Sequence, residues 1–218
     1  MIELDSVDKS FGTVQAVRNF SLKIEKGLAV CLFGPSGSGK TTVLRLIAGL
    51  ERPDRGRIKL NDRLVSGEGV LVPAGERKVG MVFQDLALWP HMKVHQHLDY
   101  VLRGLLPPRE RKRKTEHLLE LFRMAHRRDA YPGSLSGGEA QRLALARAVA
   151  PDPLILLLDE PFSHVDQDLK KKFLDLLAQL KSEKHMTMII VSHEESYFMG
   201  FFDYSYPILS ASGICCEK

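Results

Sequence analysis

No stretch of this sequence is long and apolar enough to cross a bilayer as a helix. The apolar runs Leu28–Phe33, Leu154–Leu158 and Met188–Val191 fall far short of the ~18 residues that a span requires. The N-terminus, Met1-Ile2-Glu3-Leu4-Asp5, is acidic and lacks the basic-then-apolar order of a secretory signal. Cysteine is scarce. Of the three, Cys31 sits in an apolar run and reads as core, and Cys215 and Cys216 are adjacent near the C-terminus. This excludes a disulfide framework and points to a reducing compartment, with two reduced thiols the plain reading of the adjacent pair. There is no internal repeat and no low-complexity tract. A strong charge bias is also missing. The net charge of +4 is too small to argue for nucleic acid, although a small anion or an anionic membrane surface would suit it. With 44% hydrophobic and 27% charged residues, the chain is neither disordered, collagen-like nor a disulfide-rich mini-protein. Its 218 residues suit one domain, or one domain with a subdomain.

What is present is an α/β alternation. Leu28–Phe33 reads as a buried strand ending at Gly34, and Thr41–Ala48 as a helix closed by Gly49 with Pro53 beyond. Val79–Phe83, Leu154–Leu158 and Thr187–Val191 are further buried-strand candidates. They end at Gln84, Asp159 and Ser192-His193. Ligands of parallel α/β sheets gather at the carboxyl ends of strands, so four chemically useful stations at four strand ends, Gly34 and the three polar ones, outweigh any one of them. Residues 1–27 look like short strands, with Ile2/Leu4 and Leu22/Ile24 alternating. Residues of about 88–150 read as a helical subdomain inserted between core strands. The basic run Arg109–Lys114 within it reads as a solvated helix face.

Three motifs carry chemistry. Gly34-Pro35-Ser36-Gly37-Ser38-Gly39-Lys40-Thr41 is a full G-x-x-x-x-G-K-[ST] loop, followed by Thr42. Its glycines let backbone N–H groups wrap phosphate oxygens, and the next helix adds its positive end. Lys40 would reach the β- and γ-phosphates and Thr41 would ligate Mg²⁺. Asp159 and Glu160 follow an apolar strand. The first suits a magnesium shell, and the second suits orienting or deprotonating a water. Leu135-Ser136-Gly137-Gly138-Glu139 forms an S-x-x-E capping box ahead of the helical run Ala140–Ala150, with Pro151 and Pro153 after it. The two glycines behind the cap make a second anion site at a helix end, distinct from the phosphate loop.

The order of the Gly34–Thr41 loop, Gln84, Leu135–Glu139, Leu154–Glu160, Asp166 and His193 resembles the ATP-binding subunit of an ABC transporter over about residues 1–200. The resemblance implies a P-loop NTPase core with an N-terminal antiparallel β subdomain and an inserted helical subdomain. It implies an ATPase with ATP and Mg²⁺ as ligands. Two subunits would pair head to tail, so that the phosphate loop of one and the Ser136–Glu139 signature of the other enclose each ATP. By position, Phe11 would stack on adenine, Gln84 would touch Mg²⁺ and water, His193 would contact the γ-phosphate and Asp166 would cross between subunits. Gln84-Asp85-Leu86-Ala87-Leu88-Trp89-Pro90-His91 is similar to importer subunits of the sugar, polyamine, sulfate or iron group. In those subunits the following surface docks a short coupling helix of a permease. The implied partners are a second ATP-binding subunit, transmembrane permease subunits and a solute-binding protein, with no nucleic acid. The implied place is the inner face of the cell membrane.

Several positions depart from the family pattern. Glu139 stands where the strict signature has Gln, and Ser163-His164-Val165-Asp166 stands where Ala or Asn, then Leu, is usual. Glu194–Phe202 replaces an Ala-rich helix, and Tyr204–Lys218 matches poorly. The expectation is one ABC-type domain over 1–218 without a C-terminal regulatory domain. Two alternatives stay open: an ATPase of DNA repair or chromosome structure, and a regulatory module that binds ATP without hydrolysing it. The short stretch from Lys40 to Leu135 lacks heptads and speaks against the first. Glu160 and His193 speak against the second.

Overall fold

Ten strands and five helices make up a computed structural model that describes residues 1–162, 167–193 and 200–208, with the backbone alone at 167–169. The first two strands, β1 (Ile2–Phe11) and β2 (Val14–Ile24), form an antiparallel hairpin, Ile2 facing Ile24 and Phe11 facing Val14. They are long, at 10 and 11 residues, not the short strands the alternation suggested. Register shifts between Leu4 and Val7 and again around Lys9 break the two-residue period, so the pattern was legible only at the open end. This sheet continues through β4 (Arg55–Leu60), β5 (Arg63–Gly67) and β6 (Val70–Leu71), in the order β2-β1-β4-β5-β6.

The second sheet is built from β3 (Ala29–Phe33), β7 (Val79–Val82), β8 (Ile155–Asp159), β9 (Thr187–Ser192) and β10 (Tyr204–Pro207). Its order is β10-β3-β9-β8-β7 and every pair is parallel. The four strands read from sequence are all present, within one residue at each end. The poorly matching tail supplies β10, on the free edge of β3.

Both faces of the parallel sheet are covered, and alternate residues sort between them. Ile155, Leu157, Ile189, Val191, Val30 and Leu32 pack with α1 (Lys40–Ala48) and the antiparallel sheet. Leu156, Leu158, Met188 and Ile190 pack with α4 (Gly137–Val149) and α5 (Gln167–Lys184), together with Val94, Leu98 and Leu102 of α2 (Val94–Leu102) and Leu118 and Leu119 of α3 (Pro108–Leu121). At Gly80 of β7 an added Cβ would lie 2.4 Å from the Ala148 carbonyl oxygen, so the missing side chain lets α4 press onto the sheet. The Arg109–Lys114 run is mostly exposed on α3. Arg111 is nevertheless bonded to Asp99, and Lys114 to Asp152. Cys31 is fully buried, while Cys215 and Cys216 lie outside the described residues.

Candidate active site

The sheet order sets β3, β9, β8 and β7 side by side, so the residues after their carboxyl ends converge. They are Gly34, His193, Asp159-Glu160 and Gln84. One open cleft of about 400 Å³ has the loop from Ser36 to Thr42 as a wall, with Gln84, Glu160 and His193 opposite and Phe11 at its edge. An adjoining recess of about 560 Å³ is lined by Thr41, Arg45, Gln84, Asp85 and Asp159.

The phosphate loop is held in shape by close backbone approaches. A Cβ at Gly39 (φ +97°) would sit 2.3 Å from the Ala16 carbonyl oxygen of β2, and one at Gly34 (φ +153°) would sit 2.1 Å from that of Ile208. The hairpin and the strand-edge tail therefore brace the loop from two sides. The same hairpin carries Phe11, 45% exposed at its tip just before Gly12. Its ring is available for stacking, and Lys9 lies 5.0 Å from its centre.

Helix α1 starts without any side-chain cap and with no acid in its first turn. Lys40 is 4% exposed, and its Nζ donates to the Gly34 and Pro35 carbonyls at 2.7 Å each. Burial lowers its pKa, while Glu160 and Asp159 oppose the shift. The Thr41 hydroxyl donates to Asp159 Oδ1 at 3.0 Å. Asp159 is buried, and desolvation raises its pKa despite that bond. Glu160 has a left-handed backbone at φ +47°, held by its N–H donating to the Val191 carbonyl at 3.1 Å. For a non-glycine residue this costs about 1 kcal/mol. Its Oε2 accepts from Gln84 Nε2 at 3.3 Å, and its Oε1 pairs with His193 Nε2.

These residues fit a magnesium nucleotide. The Ser38 hydroxyl oxygen is buried in the loop without a hydrogen-bond partner among the described residues. The positive end of α1 is uncapped, and the Lys40 ammonium rests on carbonyls it can exchange for phosphate oxygens. The Thr41, Asp159 and Gln84 oxygens are the hard donors that Mg²⁺ takes.

The Ser136–Glu139 group lines neither recess. Ser136 caps α4, its Oγ accepting from Glu139 N at 3.3 Å while Glu139 Oε2 accepts from Ser136 N at 2.8 Å, which is the capping box expected. Gly137 is exposed, with open space where a Cβ would stand. Asp166 falls outside the described residues, as do Ser163, His164 and Val165.

The sequence reading missed three side chains that hold these parts together. Arg147 of α4 donates to the Ala87 and Leu86 carbonyls at 2.5 and 2.7 Å, fixing a left-handed pair just after Gln84, and stacks over Trp89 at 4.9 Å. Trp89 also stacks on His97 and meets Tyr100 edge-on, so it is no incidental surface aromatic. Gln141 of α4 donates to the Pro161 carbonyl at 2.8 Å, beside Glu160. Arg77 is buried without a carboxylate partner among the described residues and donates to the Leu46 and Ile47 carbonyls near the end of α1. Each looks in sequence like any helix or loop polar residue; their partners are backbone carbonyls, which carry no sequence signal.

A phosphate loop, an Asp-Glu strand end, a strand-end glutamine and a strand-end histidine around one cleft define a P-loop nucleotide-binding fold of the cassette type. The chain belongs to the ABC transporter family, whose model matches residues 17–163. It is 44% identical over 203 residues to the sulfate/thiosulfate import ATP-binding protein CysA of Synechococcus elongatus, covering 93% of this chain and 58% of that one. It is 43% identical over 203 residues to the Fe(3+) ions import ATP-binding protein FbpC of Pseudomonas fluorescens, covering 93% and 57%. The chain thus spans a little over half the length of these curated relatives. Among solved structures it is similar to the dimeric structure of the bacterial ABC transporter cassette MJ0796, with a TM-score of 0.86, 29% identity and coverage of 97% and 95%. It is also similar to that cassette's dimeric post-hydrolysis state bound to ADP and Pi, with a TM-score of 0.87, 28% identity and coverage of 100% and 98%.

Proposed function

We propose that this chain is the ATP-hydrolysing subunit of an import system, one ABC-type domain with a helical subdomain at about 88–150. The convergence of the phosphate loop, Gln84, Glu160 and His193 on one cleft carries the reading. The loop N–H groups and Lys40 bind the phosphates, and Phe11 stacks on the adenine. Thr41, Gln84 and Asp159 would hold Mg²⁺, which would supply charge neutralisation at the phosphates when bound. As the water oxygen bonds to the γ-phosphorus and the bridge to the β-phosphate breaks to release ADP, Glu160 accepts the water's proton, and its bonds to Gln84 and His193 fix which way the carboxylate faces. His193, 40% exposed at its side chain and paired with Glu160, contacts the γ-phosphate and reports it to the strand end.

The Ser136–Glu139 end of α4 lines neither recess of its own chain. That separation supports a head-to-tail pair in which this helix end meets ATP held by a second copy. Asp166 then belongs to the crossing segment. A groove of about 540 Å³, lined by His91, Gln96 and Tyr100 among others, with Tyr100 meeting Trp89 edge-on, suits a permease's coupling element. No helix among the described residues is long and apolar enough to cross a membrane, so separate permease subunits would carry the substrate, with a solute-binding protein delivering it. The chain would then sit on the inner face of the membrane. Steady-state hydrolysis by the purified chain tests this. Magnesium-dependent turnover that Glu160→Gln abolishes supports it, and absence of turnover with and without the permease contradicts it.

A further inference from the structure

The start of α4 carries a negative charge where the proposed function requires an anion to dock. The Glu139 side chain is 9% exposed and lies one turn into the helix. A helix N-terminus offers the equivalent of about half a positive charge, so a bare carboxylate there would outweigh it. An amide at this position could accept the same Ser136 N–H bond without the charge. This chain has the carboxylate, and it also has a counter-ion from another element. Arg127 Nε donates to Glu139 Oε1 at 2.8 Å, and His126 Nε2 lies 3.2 Å from the same oxygen. Both residues come from the short turn Ala125–Arg127, which follows α3. Glu139 is held at a pKa of about 2, first by Arg127 and then by the Ser136 backbone, so it is ionised at neutral pH. Arg127 stands 42% exposed, at the rim of the α4 end.

We propose that Arg127 is a positioning residue which, by neutralising Glu139, lets the α4 helix end receive the terminal phosphates of ATP bound by a second copy of the chain. The inference rests on the head-to-tail reading above and names a residue on which that contact depends. Without Arg127, the unbalanced carboxylate would repel the incoming polyphosphate. With Gln at 139 there is no charge to balance, and Arg127 becomes dispensable for turnover.

The test is a double-mutant cycle of ATP turnover with wild type, Arg127→Ala, Glu139→Gln and the double variant. Nucleotide binding to the isolated chain is followed by a fluorescent ATP analogue, and folding by circular dichroism. Arg127→Ala is expected to lower turnover about fivefold, the upper end of what one charge pair is worth at a partly exposed site. Binding of the analogue, which uses the chain's own phosphate loop, should stay within twofold of wild type. Against Glu139→Gln, the same Arg127→Ala change should cost less than about twofold. Arg127→Met, which keeps the aliphatic stem, repeats the cycle. An equal loss in both backgrounds, no loss in either, or failure of both Arg127 variants to fold would overturn the proposal. Failure of the underlying reading shows itself differently: Ser136→Arg would then leave turnover unchanged, and the proposal would fall with it.

Discussion

The two helix ends that face phosphate in this reading are prepared in opposite ways. Helix α1 begins at a left-handed glycine, has no side-chain cap, has no acid in its first turn and keeps a buried hydroxyl unpartnered. Helix α4 begins at a serine that caps it, with a glutamate closing the box and an arginine closing the charge. The first end is incomplete on its own and is completed by a ligand. The second is already satisfied, so an anion there must rely on the N–H groups that the cap leaves over, near the exposed Gly137. The first should therefore dominate nucleotide affinity, and the second should govern what happens after binding. Their connection runs through α4 itself, which reaches Pro161 with Gln141 and the loop after Gln84 with Arg147.

The largest effect expected is at Glu160, the carboxylate that shares the cleft with the first end. Glu160→Gln keeps the size and the hydrogen bond to water but cannot accept a proton, so turnover should fall by about 10²–10⁴-fold while ATP stays bound. A coupled-enzyme assay beside equilibrium binding checks both halves. Lys40→Ala should weaken ATP by about 10- to 100-fold, the worth of a charge-assisted contact, whereas Ser136→Arg should leave affinity for the isolated chain nearly unchanged. Calorimetry on the pair would break the comparison if the two losses were equal. Phe11→Ala should cost about tenfold in affinity for adenine nucleotides through lost stacking, read by the same titration.

The smallest effect belongs to the capped end in the nucleotide-free protein. Glu139 has its pKa lowered from the usual carboxylate value to about 2, so its ionised form stabilises the fold above pH ~4.5. That contribution is lost as pH falls toward 2. Glu139→Gln should therefore flatten the decline of melting temperature between about pH 5 and 2. A decline as steep as wild type would remove the ion pair from the account.

The strand ends, the phosphate loop and the capping box were legible because each is a local pattern: an apolar run stopped by a polar residue, a glycine spacing and an S-x-x-E. Residues held together by distant backbone were not legible. The Ala16 carbonyl under Gly39 and the Ile208 carbonyl beside Gly34 brace the loop without any side-chain signature. Bulges hid the length of β1 and β2, and β10 is too short to announce itself by period. Arg127 is the instructive case. Its partner Glu139 departs from the family pattern in sequence, but the counter-ion twelve residues away becomes visible only once the turn after α3 meets the start of α4.

The central claim is that both helix ends act on one ATP, across two copies of the chain. Light scattering coupled to size exclusion, run with and without ATP, measures it directly on Glu160→Gln and on Glu160→Gln with Ser136→Arg. The single variant should become a stable dimer in ATP and return to monomer without it. The double variant should bind ATP equally well and remain a monomer, because the arginine blocks the α4 end from the partner's nucleotide. A single variant that binds ATP yet stays monomeric at every protein concentration, or a double variant that dimerises as readily, would contradict it.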